Sequence, residues 1–306
     1  MGKIAFVFAG QGAQYAGMGE SLYGASAAAC ALYQKAEALR PGTMEQSFHG
    51  TDEELKQTAN TQPCLYLVDL SAALALSEAG IKADAVAGFS LGEIAALAFA
   101  GVYSPEDGFS IVTKRGAHMQ EAAEQFDTGM TAVMRLAPEE IETIAKTFEH
   151  VYPVNYNAPG QTVVSGSKAE LEPFKEKIAQ AGGKCIDLAV SAAFHSPYME
   201  EAGSKFYEDI KDFAFAPASI PVYINQTGMP TTACTAEQLK EQIYHPVLWS
   251  KTVENMIADG FTDFIEVGAG KTLSGLIKKI DRTVNVYNVQ DEESLKATIE
   301  AVKNNA

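Results

Sequence analysis

The sequence predicts an α/β fold in which a parallel sheet carries an inserted antiparallel unit. Strand-like and helical segments alternate up to about residue 122, the rhythm changes between about 129 and 188, and the alternation then resumes. Of the 306 residues, 47% are apolar and 20% are charged, which is typical of chains that bury a full core. We therefore expect a main domain over residues 1–127 and 190–306, interrupted by a subdomain over residues 128–189.

The first elements are a strand and two helices. The run Lys3–Phe8 is β-branched and aromatic, which predicts a buried strand, and two glycines just beyond it predict a sharp turn. Helical periodicity then covers 21–39 and 61–79, where Pro63 suits a first turn and Gly80 suits a C-cap.

A second strand and two further helices follow. Residues 83–88 have the composition of another buried strand, and residues 91–100 that of a helix of small residues. Ser104 and Pro105 offer an N-cap followed by proline at the first helical position, which predicts a helix to about Ala122. Because strands separated by helices usually lie parallel, this alternation predicts a parallel sheet.

The middle of the chain changes to the order βαββαβ, which is the ferredoxin-like unit. Its predicted elements are, in order, 130–135, 138–148, 151–156, 161–166, 168–181 and 184–188. Strand-like runs at 222–225, 264–267 and 284–289 then return to the first rhythm. We read a ferredoxin-like subdomain inserted into a larger α/β domain.

Charge and composition exclude several classes of function. Acidic residues outnumber basic ones 39 to 23, for a formal net charge of −16, and a nucleic-acid partner would need a basic footprint instead. No apolar run reaches the roughly 18 residues of a membrane span, and no signal peptide is recognisable. The four cysteines and five histidines lack the spacings of metal sites. We expect a cytoplasmic protein without metal, nucleic acid or membrane partner.

Two glycine-rich segments resemble phosphate-binding loops but fail their patterns. After the first strand, the third glycine of a dinucleotide fingerprint would fall at Tyr15. The segment 268–272 (GAGKT) ends like a P-loop, but the first glycine of that motif would fall at Ile265. We expect a strand that leaves the sheet into a helix N-terminus there, and no nucleotide-hydrolysing site.

The strongest chemical signal is the G-x-S-x-G motif at residues 88–92, between a predicted strand and a predicted helix. In such a strained turn the neighbouring backbone leaves room only for glycine two residues to either side, so the Ser90 hydroxyl stands exposed. The backbone N–H of Leu91 would lie at a helix N-terminus, where the dipole favours an oxyanion. A glycine-flanked N-cap serine without catalytic role is the alternative.

A serine nucleophile needs a base, and two histidines have suitable settings. His195 lies on a predicted loop that enters a helix through Ser196 and Pro197, and His245 precedes Pro246 in a similar setting. The residues alone do not decide between them, and a structural role is the alternative for each.

Arg115 lies in the predicted helix after Ser104, on the same face as Ile111 and His118. An exposed or salt-bridged arginine is the default at such a position. The pattern by itself assigns Arg115 no role.

Seven segments occur in the order found in the malonyl-CoA:acyl-carrier-protein transacylases, and the resemblance spans nearly the whole chain. They are 8–14 (FAGQGAQ), 88–93 (GFSLGE), 114–122 (KRG followed by MQEA), 154–161 (VNYNAPGQ), 193–196 (AFHS), 246–249 (PVLW) and 266–270 (EVGAG). The resemblance implies an α/β-hydrolase-like domain with a ferredoxin-like insertion, in agreement with the elements above.

The resemblance also implies roles for individual residues. Ser90 is expected to be the nucleophile and His195 its base, with the backbone N–H groups of Gln11 and Leu91 as the oxyanion hole. The backbone carbonyl of Leu248 is expected to orient the His195 imidazole, so that no acidic third member is required.

For substrate binding, the resemblance implies that Arg115 holds the malonyl carboxylate. One departure is Phe89, because this family usually has histidine before the nucleophile. The positions that match the surroundings of the acyl pocket are Gln62, Met119, Met130, Asn155 and Phe194.

The implied activity is ping-pong transfer of malonyl from malonyl-CoA, through an acyl-serine, to the phosphopantetheine thiol of acyl carrier protein. Coenzyme A is the first product, no cofactor is permanently bound, and a monomer is expected. A serine esterase or thioesterase would share the elbow, and a non-catalytic docking protein would share the fold. The sequence does not distinguish fatty-acid from polyketide synthesis.

Overall fold

The computed structural model describes residues 2–190 and 192–304, and the strands of that part form two sheets. The larger sheet contains β1 (Lys3–Phe8), β2 (Ala85–Gly88), β7 (Val222–Tyr223), β8 (Pro230–Thr231), β9 (Phe261–Val267) and β10 (Asn285–Val289). The smaller sheet contains β3 (Thr128–Met134), β4 (Val151–Ala158), β5 (Gln161–Ser167) and β6 (Lys184–Asp187).

Helices connect these strands and cover the sheets. Before the smaller sheet they are α1 (Glu20–Ala25), α2 (Ala27–Leu39), α3 (Thr43–His49), α4 (Asp52–Lys56), α5 (Thr58–Glu78), α6 (Leu91–Phe99) and α7 (Pro105–Gln125). Within and after it they are α8 (Pro138–Ala145), α9 (Lys168–Gln180), a 3₁₀ turn (Pro197–Met199), α10 (Glu200–Ile210), α11 (Ala236–Gln242), α12 (Trp249–Ala258), α13 (Thr272–Ile280) and α14 (Glu292–Asn304).

The larger sheet has the strand order β10-β9-β1-β2-β7-β8. Strand β1 lies between β2 and β9 and pairs with both in parallel, and the pairs of β10 with β9 and of β2 with β7 are parallel as well. The short edge strand β8 is antiparallel to β7. The α/β fold predicted from the alternating pattern is confirmed.

The smaller sheet has the order β4-β5-β3-β6, and its three pairings are all antiparallel. Counted within the unit, this order is second, third, first, fourth, which is the ferredoxin-like arrangement of a βαββαβ chain. Apolar side chains of α8 and α9 form a separate core against this sheet. The domain boundaries at 127/128 and 189/190 stay predictions.

The first two predicted helices differ from the structure. The stretch 21–39 is divided because Ser26 adopts an extended backbone and its hydroxyl caps the second helix at Ala29 N–H, 3.1 Å away. Helix α5 begins at Thr58, where the Gln120 side chain accepts the first free N–H, so Pro63 lies inside the helix rather than in its first turn.

The nucleophile motif lies where strand β2 ends and helix α6 begins. Helix α6 packs so closely on the end of β1 that a Cβ atom on Gly92 would collide with the Phe8 carbonyl oxygen. In parallel sheets, ligands bind beyond the carboxyl ends of the strands. The fold therefore places residues 88–92 at the edge where a site is expected.

We predict that Gly92→Ala destabilises the protein and Gly275→Ala does not. The added methyl group at Gly92 meets backbone, so we expect a loss of about 1–3 kcal/mol in unfolding free energy. Gly275, inside α13, has no neighbour within 4 Å of an added Cβ, so alanine there should add about 0.5–1 kcal/mol. Chemical denaturation measures both, and equal effects would contradict the close approach.

Candidate active site

Ser90 sits at the tip of a strained turn. Its backbone has φ 54° and ψ −107°, and in the described chain it is one of three non-glycine residues with positive φ. Such a conformation costs about 1–3 kcal/mol and persists only where surrounding contacts impose it. A Cβ on Gly88 would collide with Gly92, so the predicted need for glycine on both sides of the serine has a direct steric cause.

The His195 ring lies against the Ser90 hydroxyl. Its Nε2 is 2.7 Å from Ser90 Oγ, and its Nδ1 is 3.0 Å from the Gln242 carbonyl oxygen and 3.1 Å from that of His245. Because carbonyl oxygens only accept, Nδ1 carries the hydrogen, and the Nε2 lone pair is free to accept the Ser90 proton.

His195 is held as a neutral base. The residue is 4% exposed. Burial, and then the positive charge of Arg115, lower the pKa of its imidazole to about 3. His195 also has a positive φ of 60°, so both members of the pair occupy strained backbone positions.

The structure separates the two candidate histidines and corrects one prediction. His245 Nδ1 lies 2.9 Å from the Glu241 carbonyl, while its own carbonyl contacts His195. The prediction that Leu248 orients the imidazole is wrong. Leu248 is the N-cap of α12, so its carbonyl accepts the Thr252 N–H at 2.9 Å as the first bond of that helix.

Arg115 is fully buried and reaches the nucleophile. One terminal nitrogen, Nη2, donates to Ser90 Oγ at 3.1 Å and to Gln242 Oε1 at 2.8 Å, and Nη1 donates to Gln62 Oε1 at 2.9 Å. These three acceptors are neutral oxygens, and Nε has no acceptor among the described residues. Arg115 is therefore neither the exposed nor the salt-bridged arginine that is the default at such a position.

The carboxylate that acts most strongly on Arg115 is Glu93. Burial lowers the pKa of Arg115 to about 10, and the charge of Glu93 opposes this shift. Burial in turn raises the pKa of Glu93 to about 7. Among the described residues, the site thus holds a cation with no directly bonded anion, together with a carboxyl group whose pKa is raised to about 7.

Gln242, at the end of α11, connects all three groups and was missed by sequence reasoning. Its carbonyl accepts from His195, its Oε1 accepts from Arg115, and its Nε2 donates to the Ser90 carbonyl at 2.7 Å. Nothing in a short helix of ordinary composition indicates this contact. It depends on how α11 packs beside the elbow.

The two backbone N–H groups that we expect to hold an oxyanion are those of Gln11 and Leu91. Leu91 is the first residue of α6, and Gln11 lies in the turn after β1. In residues 2–190 and 192–304 neither N–H has a hydrogen-bond acceptor. An oxygen bound between them would receive two hydrogen bonds and the positive end of the helix dipole.

Ser90 lines a cavity of about 660 Å³. Ligand sites commonly have volumes of about 300–1,000 Å³. Gln11, Ser90 and His195 line it, as do four of the five predicted pocket residues, namely Met119, Met130, Asn155 and Phe194. Gln62 lies behind them, where its Nε2 is 3.3 Å from Met119 Sδ. Strands β3, β4 and β5 of the smaller sheet and the turns after β1 and β2 of the larger sheet contribute walls to this cavity.

Phe89 also lines the cavity, at the position where the resemblance leads us to expect histidine. Its ring packs against the buried Trp249 with centroids 5.6 Å apart, in an edge-to-face arrangement. Leu273 and Leu276 continue the same wall. The substitution therefore gives this side of the cavity an apolar surface and leaves the contact of Ser90 with His195 in place.

In the part of the chain that the structure covers, no cluster of three or more histidine, cysteine or acidic side chains could hold a metal ion. Over the same residues, no helix has both the length and the apolar character that a membrane crossing requires.

The comparisons with known proteins agree with this geometry. The model of the acyl transferase domain family matches residues 5–305. The chain belongs to that family. The family resemblance predicted from the seven segments is confirmed.

Individual members of the acyl transferase family are similar over nearly their whole length. The malonyl CoA-acyl carrier protein transacylase of Bacillus subtilis (strain 168) is 38% identical over 99% of this chain and 98% of its own. The transacylase structure from Clostridium perfringens has a TM-score of 0.95 at 36% identity, covering 99% and 98% of the two chains. A malonyl-transacylase in complex with its type II PKS acyl-carrier protein has a TM-score of 0.92 at 31% identity, covering 98% and 99%.

We predict that the reactivity of Ser90 shows no histidine titration near pH 6.5. Because the pKa of His195 is lowered to about 3, its neutral form persists through the neutral and mildly acidic range. The rate of Ser90 labelling by a fluorophosphonate measures this directly. Glu93 titrates in the same range, so the profile is also recorded for Glu93→Gln. An inflection near 6.5 that persists in Glu93→Gln would contradict the neutral, buried base.

Proposed function

We propose that this protein is a malonyl-CoA:acyl-carrier-protein S-malonyltransferase that works through an acyl-serine at Ser90. The observation that carries the proposal is the fully buried Arg115, whose Nη2 lies 3.1 Å from Ser90 Oγ. An acyl chain on Ser90 would meet this guanidinium within a few bonds. The relatives named above are transacylases of malonyl groups, which supports the same substrate.

Burial of Arg115 is costly unless an anion compensates it. Its three acceptors are neutral oxygens, so a substrate carboxylate would supply the missing charge and could accept two hydrogen bonds from the guanidinium fork. Malonyl carries that carboxylate and acetyl does not. The site therefore favours a dicarboxylic acyl group over a neutral one.

In the first half-reaction, Ser90 Oγ attacks the thioester carbonyl of malonyl-CoA and its proton passes to His195 Nε2. The backbone N–H groups of Gln11 and Leu91 hold the oxyanion of the tetrahedral intermediate. When the C–S bond breaks, the coenzyme A sulfur takes the proton from Nε2. Malonyl remains as an ester on Ser90.

In the second half-reaction, the pantetheine thiol of the carrier protein gives its proton to His195 Nε2 as its sulfur attacks the ester carbonyl. The C–O bond breaks, Ser90 Oγ takes the proton, and malonyl leaves on the carrier thiol. By holding the malonyl carboxylate, Arg115 keeps the ester carbonyl fixed for the incoming thiol.

Acyl carrier protein is the proposed partner, and a relative has been seen in complex with such a carrier. Location in the cytoplasm and a monomeric state stay predictions from the sequence. A serine esterase would share the elbow, but a simple ester gives no use to a buried guanidinium beside the nucleophile. That residue favours the transferase.

We predict that malonyl-CoA leaves one malonyl group on the protein and that Ser90→Ala abolishes this mass increase, because no other hydroxyl lies against His195 Nε2 in the described site. Intact-mass spectrometry measures it, and adding phosphopantetheinylated carrier should discharge the ester. Ser110→Ala, which removes a hydroxyl bonded to the Glu106 carbonyl in α7, is the matched control and should label fully. Full labelling of Ser90→Ala would refute the nucleophile assignment.

We predict that Arg115→Ala loses malonyl transfer while acetyl transfer survives or improves. Removing one partner of a buried charge pair should lower kcat/KM for malonyl-CoA roughly 30-fold or more. Arg115→Lys should recover part of the loss, because an ammonium cannot reproduce the fork.

The measurement is kcat/KM for malonyl-CoA and acetyl-CoA in each variant, with the exposed Arg135→Ala as control. Parallel changes for the two substrates would rule out the carboxylate role of Arg115.

A further inference from the structure

Both backbone polar groups of Ser90 are bonded to side-chain amides. Its carbonyl accepts from Gln242 Nε2 at 2.7 Å, and its N–H donates to Asn225 Oδ1 at 2.7 Å. Gln242 also touches Arg115 and His195, so it belongs to the site already described. Asn225 follows the neighbouring strand β7, and its side-chain contacts lie on the backbone of the elbow.

The Asn225 carboxamide bridges the two sides of the strained turn. While its Oδ1 accepts from Ser90 N–H, its Nδ2 donates to the Gly88 carbonyl at 2.6 Å. One partner can only donate and the other can only accept, so the orientation of the amide is fixed. A side chain with one donor and one acceptor on a single planar group is required to span both.

Asn225 is itself fixed on its own backbone. Its N–H donates to Glu93 Oε2 at 2.6 Å, and its carbonyl accepts from Leu248 N–H at 2.9 Å. Glu93 stands in the first turn of α6, the helix that Ser90 opens. A closed ring of contacts therefore runs from Gly88 through Asn225 and Glu93 back to the helix after Ser90, and it is buried, with Asn225 1% exposed.

We infer that Asn225 is a positioning residue for the nucleophile: its carboxamide holds the backbone on both sides of Ser90 and thereby aims the Ser90 hydroxyl at His195. The inference rests on the proposed function of Ser90. By occupying the Ser90 N–H, Asn225 Oδ1 also directs that donor away from the acyl carbonyl. Leu91 N–H is then the donor that the elbow offers to an oxyanion.

Two substitutions of Asn225 should respond differently to pH. Asn225→Ala removes both hydrogen bonds at every pH. In Asn225→Asp, a protonated carboxyl group can donate to the Gly88 carbonyl and accept from Ser90 N–H as the amide does. An ionised one places negative charge against the Gly88 oxygen, on a residue whose backbone N–H is already bonded to the Glu93 carboxyl. Low pH should therefore rescue the aspartate variant and not the alanine variant.

The experiment measures the acylation rate of Ser90 by malonyl-CoA, with KM and thermal stability recorded for each variant. Asn225→Ala should lower the maximal acylation rate about 10- to 100-fold, since misplacement of a reacting group by about 1 Å costs that much, with KM nearly unchanged. The rate of Asn225→Asp relative to wild type should rise at least about threefold from about pH 8 to about pH 6. The ratio for Asn225→Ala should stay flat.

Asn255→Ala is the matched control, because Asn255 Nδ2 donates to the Gly228 carbonyl at 2.8 Å, away from the elbow. It should acylate at the wild-type rate. If malonyl-CoA acylates the wild-type protein and both Asn225 variants react at the same rate as wild type, the inference is overturned and the proposed function is not. If Asn225→Ala does not fold, the pH ratio of Asn225→Asp decides, and a flat ratio overturns the inference.

Failure of the proposed function would look different. If malonyl-CoA does not acylate the wild-type protein, the substrate assignment fails, and the same comparison is made with a fluorophosphonate that labels Ser90. Slower labelling of Asn225→Ala, with acid rescue of Asn225→Asp, would then support the positioning role independently of the natural substrate.

Discussion

The left-handed backbone of Ser90 is the constraint on which the rest of the site depends. The turn can form because Gly88 and Gly92 carry no side chains where the backbone of α6 and β1 passes. It stays formed because Asn225 and Gln242 occupy its polar groups from two sides. Strain of this kind needs contacts on every side, so strands β1, β2 and β7 and helix α11 must all be in place before the hydroxyl meets its base.

Electrostatics links the cation of the site to its base. The buried charge of Arg115 disfavours a second positive charge on His195 and so helps to keep the imidazole neutral. The charge of Glu93 raises the pKa of Arg115 and so helps to keep its guanidinium charged. A substrate carboxylate bound to Arg115 would weaken the repulsion and make the imidazolium easier to form. The proton transfer from Ser90 would thus become more favourable once a dicarboxylic acyl group is bound.

The sequence predicted those features that depend on local chemistry. Strand β1, the helix after Ser104 and the βαββαβ order follow from periodicity and caps, and Ser90 follows from the spacing of its glycines. The choice of His195 over His245 and the position of Arg115 required the resemblance, because each depends on contacts more than 20 residues away in the chain. Asn225, Gln242 and the failed assignment of Leu248 depend on tertiary packing, which leaves no pattern in a single sequence.

The contact between Arg115 and the nucleophile also bears on the choice between malonyl and neutral thioesters. In the free protein one hydrogen of Nη2 is donated to Ser90 Oγ, where it occupies one of the two lone pairs and makes the oxygen less nucleophilic. A malonyl carboxylate is a stronger acceptor than a hydroxyl and would draw that hydrogen away. Binding of a substrate carboxylate to Arg115 would thus release Ser90 Oγ from this hydrogen bond. Neutral thioesters offer no such acceptor, so the same guanidinium that binds malonyl would keep Ser90 less reactive toward them.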